Sequence, residues 1–233
     1  MENKVAVVTG ASSGIGKAIA QSLQSEGYQL VLNGRTCQEH YDTSPNLVIN
    51  NKDLLDEKTP GQLLAHCLDN FGKCDYLFVN AGTLATGTIE EIDIDKVCQM
   101  ARLKVESSYR LIYTFLKEFK KQGTGHIFIT SSILGTKVRE TAGAYAGCNY
   151  ALEALAEALR MELSPTDIQI TCLEPGLVST GLHRDWEIQP AELLNITNTL
   201  TPEDIADAVK EIISKPSHIR IPRYMILPKG HRI

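Results

Sequence analysis

The stretch VAVVTGASSGIG, residues Val5 to Gly16, decides the fold of this 233-residue chain. A short β-branched run ends in a glycine-rich turn and an apolar-periodic run follows, which predicts a strand, a turn and a helix. Glycines at Gly10, Gly14 and Gly16 permit a tight turn, close approach of the backbone to a pyrophosphate, and close helix–strand contact. The helix N-terminus then faces the phosphates. The stretch predicts a dinucleotide-binding βα unit.

Strands and helices keep alternating after this unit. Runs such as CDYLFVNAG and GHIFITSS are apolar on both faces, which is typical of a parallel sheet covered by helices on two sides. The segment 36–45 is polar and weakly periodic, so the crossover there is predicted to be abbreviated. No linker-like composition and no repeat interrupts the pattern. We therefore predict one α/β domain over residues 1–233.

Composition excludes several classes of protein. A net charge of −5 argues against nucleic acid or an anionic membrane as the main partner. No apolar run is long enough to span a bilayer, and the N-terminus lacks the pattern of a signal peptide. The six cysteines are scattered without a C-x-x-C pair, so we expect a reduced, cytoplasmic protein. The histidines show no metal-ligand spacing, so we expect no metal.

Four further motifs follow the glycine turn in a fixed order. They are NAG (Asn80–Gly82), ITSS (Ile129–Ser132), Tyr145, and PGLVST (Pro175–Thr180). In this order and spacing the chain resembles the short-chain dehydrogenase/reductase (SDR) family over about residues 4–227. The resemblance implies a single-domain, Rossmann-type, doubly wound parallel sheet with helices on both faces. It also implies a nicotinamide cofactor, reversible carbonyl–alcohol chemistry, and a homo-oligomer such as a homodimer or homotetramer.

The resemblance also implies a set of cofactor contacts. Pro175 and Gly176 are expected to turn the chain around the nicotinamide, and Asp53 to approach the adenine. Asn80 is expected to fix the strand beneath the cofactor, although a plain turn residue at a strand end would look the same. The remaining expected contacts are Gly10, Ser12, Ser13, Gly14, Ile15, Gly16, Ala81, Gly82, Val178 and Thr180.

The end of the second strand bears on which nicotinamide cofactor binds. An acidic residue there would bond the ribose 2′-hydroxyl and repel a 2′-phosphate. This chain has Gly34 at that place and Arg35 after it. A guanidinium can bind phosphate bidentately, so we expect NADP, with NAD still possible. The alternative is that Arg35 is only a solvated loop residue.

Ser132 and Tyr145 match the family's catalytic spacing, thirteen residues apart. The resemblance implies that the Ser132 hydroxyl holds the substrate oxygen and that Tyr145 exchanges a proton with it as general acid or base. Separately, Ser132 could be a cap or turn hydroxyl, and Tyr145 an ordinary residue of an amphipathic helix.

The family's cation does not occupy its usual position. A free tyrosine has a pKa of about 10. An ammonium at ~4 Å would favour the phenolate by ~4 kcal/mol at an effective dielectric of about 20. The family supplies that charge from a lysine four residues after the tyrosine, where this chain has Asn149. A neutral amide can bond the nicotinamide ribose but brings no charge.

Lys104 falls, to within about one residue, where the family has an asparagine on the preceding long helix. It lies on an apolar stripe with Val97, Ala101, Ser108, Leu111 and Phe115. We therefore hypothesise that Lys104 and Asn149 have exchanged places and that the Lys104 ammonium serves Tyr145. The alternative is that Lys104 extends on its long stem to the surface or to a subunit contact.

Residues 181–200 are the expected substrate lid, and they contain His183, Arg184 and Trp186. The two cationic side chains could bind an acidic substrate or could be solvated. We predict an NADP(H)-dependent oxidoreductase that interconverts a small carbonyl compound and its alcohol. The alternative is a catalytically impaired nucleotide-binding protein with a sensing or assembly role.

Overall fold

A computed structural model of the chain describes residues 4–184, 186 and 188–232. Its strands are β1 Val5–Thr9, β2 Gln29–Asn33, β3 Leu47–Asn50, β4 Tyr76–Val79, β5 Thr124–Thr130, β6 Asp167–Pro175 and β7 Arg223–Ile226. They form one seven-stranded sheet in the order β3-β2-β1-β4-β5-β6-β7, and every adjacent pair is parallel. The winding reverses between β1 and β4, and open sheets of this kind bind ligands at the carboxyl ends of such strands.

Helices cover both faces of the sheet. They are α1 Gly14–Ser25, α2 Thr59–Phe71, α3 Ile94–Ala101, α4 Ser107–Gln122, α5 Gly143–Leu163, α6 Pro190–Leu193 and α7 Pro202–Ile213. One apolar core packs α2, α4 and α5 against the sheet, and a second packs α1 and α7 against the other face. Alternation within β1 feeds both cores, because Val5 and Val7 enter the first while Ala6 and Val8 enter the second. The predicted doubly wound parallel fold is confirmed.

Two local predictions can be compared with the structure. The crossover between β2 and β3 holds only a single 3₁₀ turn, Cys37–Glu39, so it is abbreviated as predicted. The long helix predicted at roughly residues 95–121 runs from Ile94 to Gln122, but its middle, Arg102–Glu106, is a π-helical turn between α3 and α4. A π turn takes in an additional residue and is often found at functional sites.

The described residues show neither a membrane-spanning helix nor a cluster of metal ligands. Within residues 4–184, 186 and 188–232, no helix is both long enough and apolar enough to cross a bilayer. The same residues contain no cluster of three or more histidine, cysteine, aspartate or glutamate side chains that could hold a metal ion.

Candidate active site

A cavity of about 740 Å³ opens at the carboxyl ends of the strands. Its size lies within the range of small-molecule and cofactor sites. The glycine turn after β1 and the ends of β2 and β3 line one part of it, and the segments after β4, β5 and β6 line much of the remainder. The cavity thus brings together motifs that are more than 150 residues apart in the chain.

The glycine turn is built around the backbone geometry that glycine allows. Gly10 and Gly14 have φ of 66° and 51°, a region that other residues seldom adopt. A Cβ on Gly16 would overlap the Gly10 carbonyl oxygen, so α1 could not pack this closely on β1 with any other residue there. The N-terminus of α1 begins at the cavity, and its N-cap residue Ser13 makes no side-chain cap bond. The arrangement suits a phosphate group, whose oxygens the free N–H groups could bind.

Asn80 holds three strand ends together beneath this turn. Its Nδ2 donates to the Thr9 carbonyl oxygen at 3.1 Å, and its Oδ1 accepts from the Thr130 hydroxyl at 3.1 Å. Its backbone N–H donates to the Thr9 hydroxyl at 3.0 Å. Asn80 therefore ties β1, β4 and β5 while also lining the cavity.

The end of β2 lies beside the glycine turn, at the same end of the cavity. A Cβ on Gly34 would lie 2.8 Å from the Cys37 sulfur and 3.1 Å from the Ser12 hydroxyl oxygen, so a larger side chain would require a shift there. Arg35 and Asp53 are both exposed and both line the cavity. The Asp53 carboxylate accepts the Leu55 N–H at 2.9 Å, which fixes its turn.

Ser132 stands where β5 leaves the sheet. Its Oγ accepts the Leu134 N–H at 3.1 Å and so caps the 3₁₀ turn Ile133–Gly135. That bond uses an oxygen lone pair, and the hydroxyl proton is left available for a ligand. Tyr145 lies half-buried in the first turn of α5, and both side chains line the cavity.

Lys104 projects inward from the π-helical turn. The residue is 5% exposed, so the alternative that it extends to the surface does not hold. Its Nζ lies 5.4 Å from the centroid of the Tyr145 ring, and a Cβ on Gly82 would be 3.3 Å from that nitrogen. The ammonium also acts on Cys148, where burial raises the pKa of the thiol and the Lys104 charge partly lowers it. A buried cation therefore lies beside Tyr145.

Asn149 is turned away from the cavity. It is fully buried, its Nδ2 donates to the Tyr145 carbonyl oxygen at 2.9 Å, and its Oδ1 has no hydrogen-bond partner among the described residues. The expectation that its amide is available to a nicotinamide ribose is therefore not supported by this geometry, because the amide is bound to its own helix. Lys104, and not Asn149, lines the cavity.

The expected cofactor contacts gather at this cavity with one exception. Gly16 lies behind the turn, where it serves helix packing. Gly14 touches Thr180, since a Cβ on Gly14 would lie 3.2 Å from the threonine methyl group. The others line the cavity: Gly10, Ser12, Ser13, Gly14, Ile15, Arg35, Asp53, Asn80, Ala81, Gly82, Pro175, Gly176, Val178 and Thr180.

Two further lining residues were not among the predicted site residues. Arg139 precedes α5, and His231 comes from the C-terminal tail; their side chains are 3.4 Å apart. Neither belongs to a motif, and only the fold brings them together across 92 residues of sequence. The signal available in the sequence was limited to a basic residue in the polar run KVRE.

The segment expected to be the substrate lid is short and irregular. It contains a 3₁₀ turn at Gly181–His183 and the single-turn helix α6. The His183 and Trp186 rings meet edge to face with centroids 5.1 Å apart, and both line the cavity. Two residues of the segment, Asp185 and Glu187, lie outside the described residues.

Comparisons with known proteins agree with this architecture. An uncharacterized oxidoreductase of Staphylococcus saprophyticus is 28% identical over 236 residues, and one of Staphylococcus epidermidis is 29% identical over 232 residues; each alignment covers 98% of both chains. An alcohol dehydrogenase from the archaeon Thermococcus sibiricus, solved in complex with 5-hydroxy-NADP, superposes with a TM-score of 0.86 at 26% identity. That superposition covers 100% of this chain and 99% of the other.

The family itself is identified by its sequence profile. The short chain dehydrogenase profile matches residues 4–191, which include the glycine turn, Ser132, Tyr145 and Lys104. The chain therefore belongs to the short-chain dehydrogenase family of oxidoreductases.

Proposed function

We propose that the protein is an NADP(H)-dependent oxidoreductase that interconverts a small carbonyl compound and its alcohol. Tyr145 is the general acid and base, and Lys104 supplies the positive charge that the tyrosine needs. The observation that carries the proposal is the buried Lys104 ammonium 5.4 Å from the Tyr145 ring. Asn149, at the position of the family's lysine, carries no charge and bonds the backbone of its own helix.

Electrostatics indicates how much the Lys104 charge contributes. With the 5.4 Å from Nζ to the ring centroid taken as the separation of the two charges, they interact by about 3 kcal/mol at an effective dielectric of about 20. If the ammonium stabilises the developing phenolate to that extent, it accounts for about a 100-fold increase in rate. The aromatic ring also favours a cation at this separation. Because the charge comes from a helix adjacent to α5, a lysine four residues after Tyr145 is not needed.

The two hydroxyl groups have separate tasks. The Ser132 hydroxyl group donates a hydrogen bond to the substrate oxygen and orients the carbonyl carbon. In the reductive direction Tyr145 gives its phenolic proton to that oxygen, and in the oxidative direction it takes the proton back. The nicotinamide, when bound, supplies or accepts the hydride. The residues that would hold it are those of the glycine turn and the 175–180 segment, whose geometry fits a dinucleotide.

NADP is the proposed cofactor because of the residues after β2. An acidic side chain at Gly34, which would bind the ribose hydroxyls and repel a 2′-phosphate, would require the Cys37 sulfur to shift, so the local packing disfavours it. Arg35 lines the cavity next to it and can bind that phosphate. The related alcohol dehydrogenase of T. sibiricus was solved with an NADP derivative, which supports the same choice.

We also propose that the chain acts as a homodimer or homotetramer in the cytoplasm. Tyr113 on α4 and Tyr150 and Met161 on α5 are exposed, and Met161 is 70% exposed. Apolar side chains of this size on two helices are suited to a contact between subunits. Light scattering at micromolar concentration tests this, and a strictly monomeric protein would contradict it.

The decisive experiment replaces the cation. In Lys104→Met we expect kcat for NADPH oxidation with small aldehydes and ketones to fall about 100-fold, while NADPH binding measured by fluorescence is retained. Lys117→Met, on the exposed face of α4, is the matched control and should keep its activity. Near-normal turnover in Lys104→Met would contradict the assignment.

Asn149→Lys and the wild type together distinguish an active reductase from a nucleotide-binding protein without turnover. Asn149→Lys should add little to an enzyme that already has its cation, whereas activity created from nothing would mean that the natural protein is a degenerate enzyme. Tight NADPH binding by the wild type without turnover of any carbonyl in a broad panel would instead support a nucleotide-binding protein used for sensing or assembly.

A further inference from the structure

The wall of the cavity formed by the loop before α5 and the C-terminal tail holds the contact between Arg139 and His231. The Arg139 Nη2 lies 3.4 Å from the His231 Nε2. This is the only polar contact of the Arg139 side chain within the described part of the chain, and no carboxylate there lies within ion-pair distance of it. Arg139 thus brings to the cavity a charge that is not neutralised and N–H groups that remain free.

The backbone holds Arg139 in place. The Arg139 carbonyl oxygen accepts the Ala142 N–H at 3.2 Å, and the Thr141 carbonyl oxygen accepts the Gly87 N–H at 2.9 Å. The two bonds tie the loop to the start of α5 and to the segment after β4. Since Tyr145 follows Arg139 by six residues, the backbone of this exposed arginine is held next to the helix that carries the catalytic hydroxyl.

His231 is fixed just as firmly. Its N–H closes a turn on the Pro228 carbonyl oxygen at 3.1 Å, and Gly230 in that turn has φ of 88°. The ring packs on the backbone of Gly176, where an added Cβ would lie 2.6 Å from its Nδ1. That Nδ1 is buried and has no partner in the described residues. Burial first, and then the Arg139 charge, lower the pKa of His231, so the imidazole is neutral and braces Arg139 without adding charge.

The described residues that line the cavity carry more positive than negative charge. The basic side chains are Arg35, Lys52, Lys104, Arg139 and Arg184, and the acidic ones are Asp53 and Glu140. Burial lowers the pKa of His183, so its ring adds no charge at physiological pH. An anionic group is favoured, and a fork-shaped guanidinium suits a carboxylate in particular.

We propose that Arg139, braced by His231, binds a carboxylate of the substrate, so that the protein acts on small oxo acids and the corresponding hydroxy acids. The inference rests on the proposed function, because it assumes that the carbonyl end of the same molecule is held by Ser132 and Tyr145. The carboxylate fixes one end of the substrate and the catalytic hydroxyls fix the other. Arg139 is therefore a determinant of specificity and takes no part in proton transfer.

A binding measurement tests the anion site without requiring turnover. Trp186, the only tryptophan, lines the cavity, so its fluorescence reports occupancy. Malonate titrated into NADP⁺-loaded protein should bind with a millimolar or lower Kd, and Arg139→Met should raise that Kd about 10- to 100-fold. Arg139→Lys should recover part of the loss. Lys137→Met removes a charge two residues away that does not line the cavity, and an equal loss there, or no malonate binding by the wild type, would overturn the proposal.

Turnover then separates this inference from the proposed function. With acetoacetate and pyruvate, Arg139→Met should raise KM at least tenfold and change kcat by less than about threefold. The methyl esters of the two acids should react equally with wild type and variant. Esters and acids affected alike would overturn the carboxylate site and leave the reductase intact. Arg139-dependent malonate binding without reduction of any carbonyl would keep the anion site and refute the proposed function.

Discussion

Lys104 is the residue on which the proposed chemistry depends, and its position is costly for the folded protein. A 5%-exposed ammonium has lost most of its hydration, and it has no carboxylate partner among the residues described. Such burial is unfavourable unless a polar cavity or a partner compensates. The cavity and the Tyr145 ring offer partial compensation. A residue that lowers stability at a reaction site is the usual trade of stability against activity.

This trade gives a prediction about stability. Lys104→Met removes the buried charge and keeps the length of the side chain, so the free energy of unfolding should rise by about 1–3 kcal/mol. Urea denaturation of wild type and variant without cofactor measures the difference. The Lys117 side chain is solvated in both the folded and the unfolded state, so Lys117→Met should change the free energy of unfolding by less than about 0.5 kcal/mol. A destabilised Lys104→Met would mean that the ammonium has a strong partner in the folded protein.

Thr141, beside the site, has a strained backbone conformation. Its φ of 64° lies in the left-handed region, which a β-branched side chain rarely adopts. Its carbonyl oxygen accepts the Gly87 N–H, a bond that holds the backbone there. Asparagine tolerates this conformation far better, so Thr141→Asn should raise the free energy of unfolding by about 1 kcal/mol. Thermal and urea unfolding check this, and an unchanged or lower value would show that the strain is negligible.

The helices and strands that could be predicted are those with a local signal in the sequence. The strands, the shortened β2–β3 crossover and the long helix at residues 94–122 were predictable because the spacing of apolar residues along the chain indicates them. The π-helical turn, whose buried residue is Lys104, was not predictable, because no local signal in the sequence marks it. The Ser107 hydroxyl also bonds the Leu103 carbonyl oxygen within that turn, a contact that no periodicity predicts.

Strand β5 contains a buried histidine that should make the stability of the protein depend on pH. His126 in β5 is 8% exposed, and its Nε2 lies 2.9 Å from the Thr171 hydroxyl. That hydroxyl already donates to the Ile221 carbonyl oxygen at 2.7 Å, so the imidazole must donate from Nε2. Burial, with a smaller effect of the Arg220 charge, lowers the pKa of His126 to about 3. The ring therefore stays neutral in the folded protein.

The sign of the pH effect follows from proton uptake. An unfolded histidine has a pKa of about 6.5, so the unfolded chain binds more protons at this site between about pH 6.5 and pH 3. The free energy of unfolding must fall as the pH falls through that window, by up to about 1.4 kcal/mol per pH unit. In His126→Phe the loss between pH 7 and pH 5 should be smaller by about 2 kcal/mol. Equal losses in wild type and variant, measured by urea unfolding, would contradict a neutral His126.

At the scale of the whole molecule, the site is a product of topology. Parallel strands bring the residues that follow β1, β4, β5 and β6 to one edge of the sheet, so motifs from distant parts of the chain meet in one cavity. Motif spacing predicted those residues because each is tied to a strand end. Arg139 and His231 follow no such rule, because the tail reaches the cavity only after β7 has paired with β6.

Cofactor choice is the property of the whole fold that is simplest to measure. A ligand that binds only the folded protein at 100 times its Kd adds about 2.7 kcal/mol of stability. For a domain of this size that corresponds to a rise in Tm of roughly 5–10 °C. We expect NADP⁺ to give such a rise at a concentration where NAD⁺ gives little. Arg35→Ser should abolish the difference, whereas Arg102→Ser, on the exposed face of the π-helical turn, should preserve it.

A reciprocal variant should reverse the cofactor preference. Gly34→Asp alone should perturb the β2 turn, because its Cβ would lie 2.8 Å from the Cys37 sulfur. Combined with Cys37→Ala, the aspartate has room, can bond the ribose hydroxyls and repels a 2′-phosphate. The double variant should therefore gain more in Tm from NAD⁺ than from NADP⁺. If it still prefers NADP⁺, the phosphate is bound away from Arg35, and the assignment of that end of the cavity is wrong.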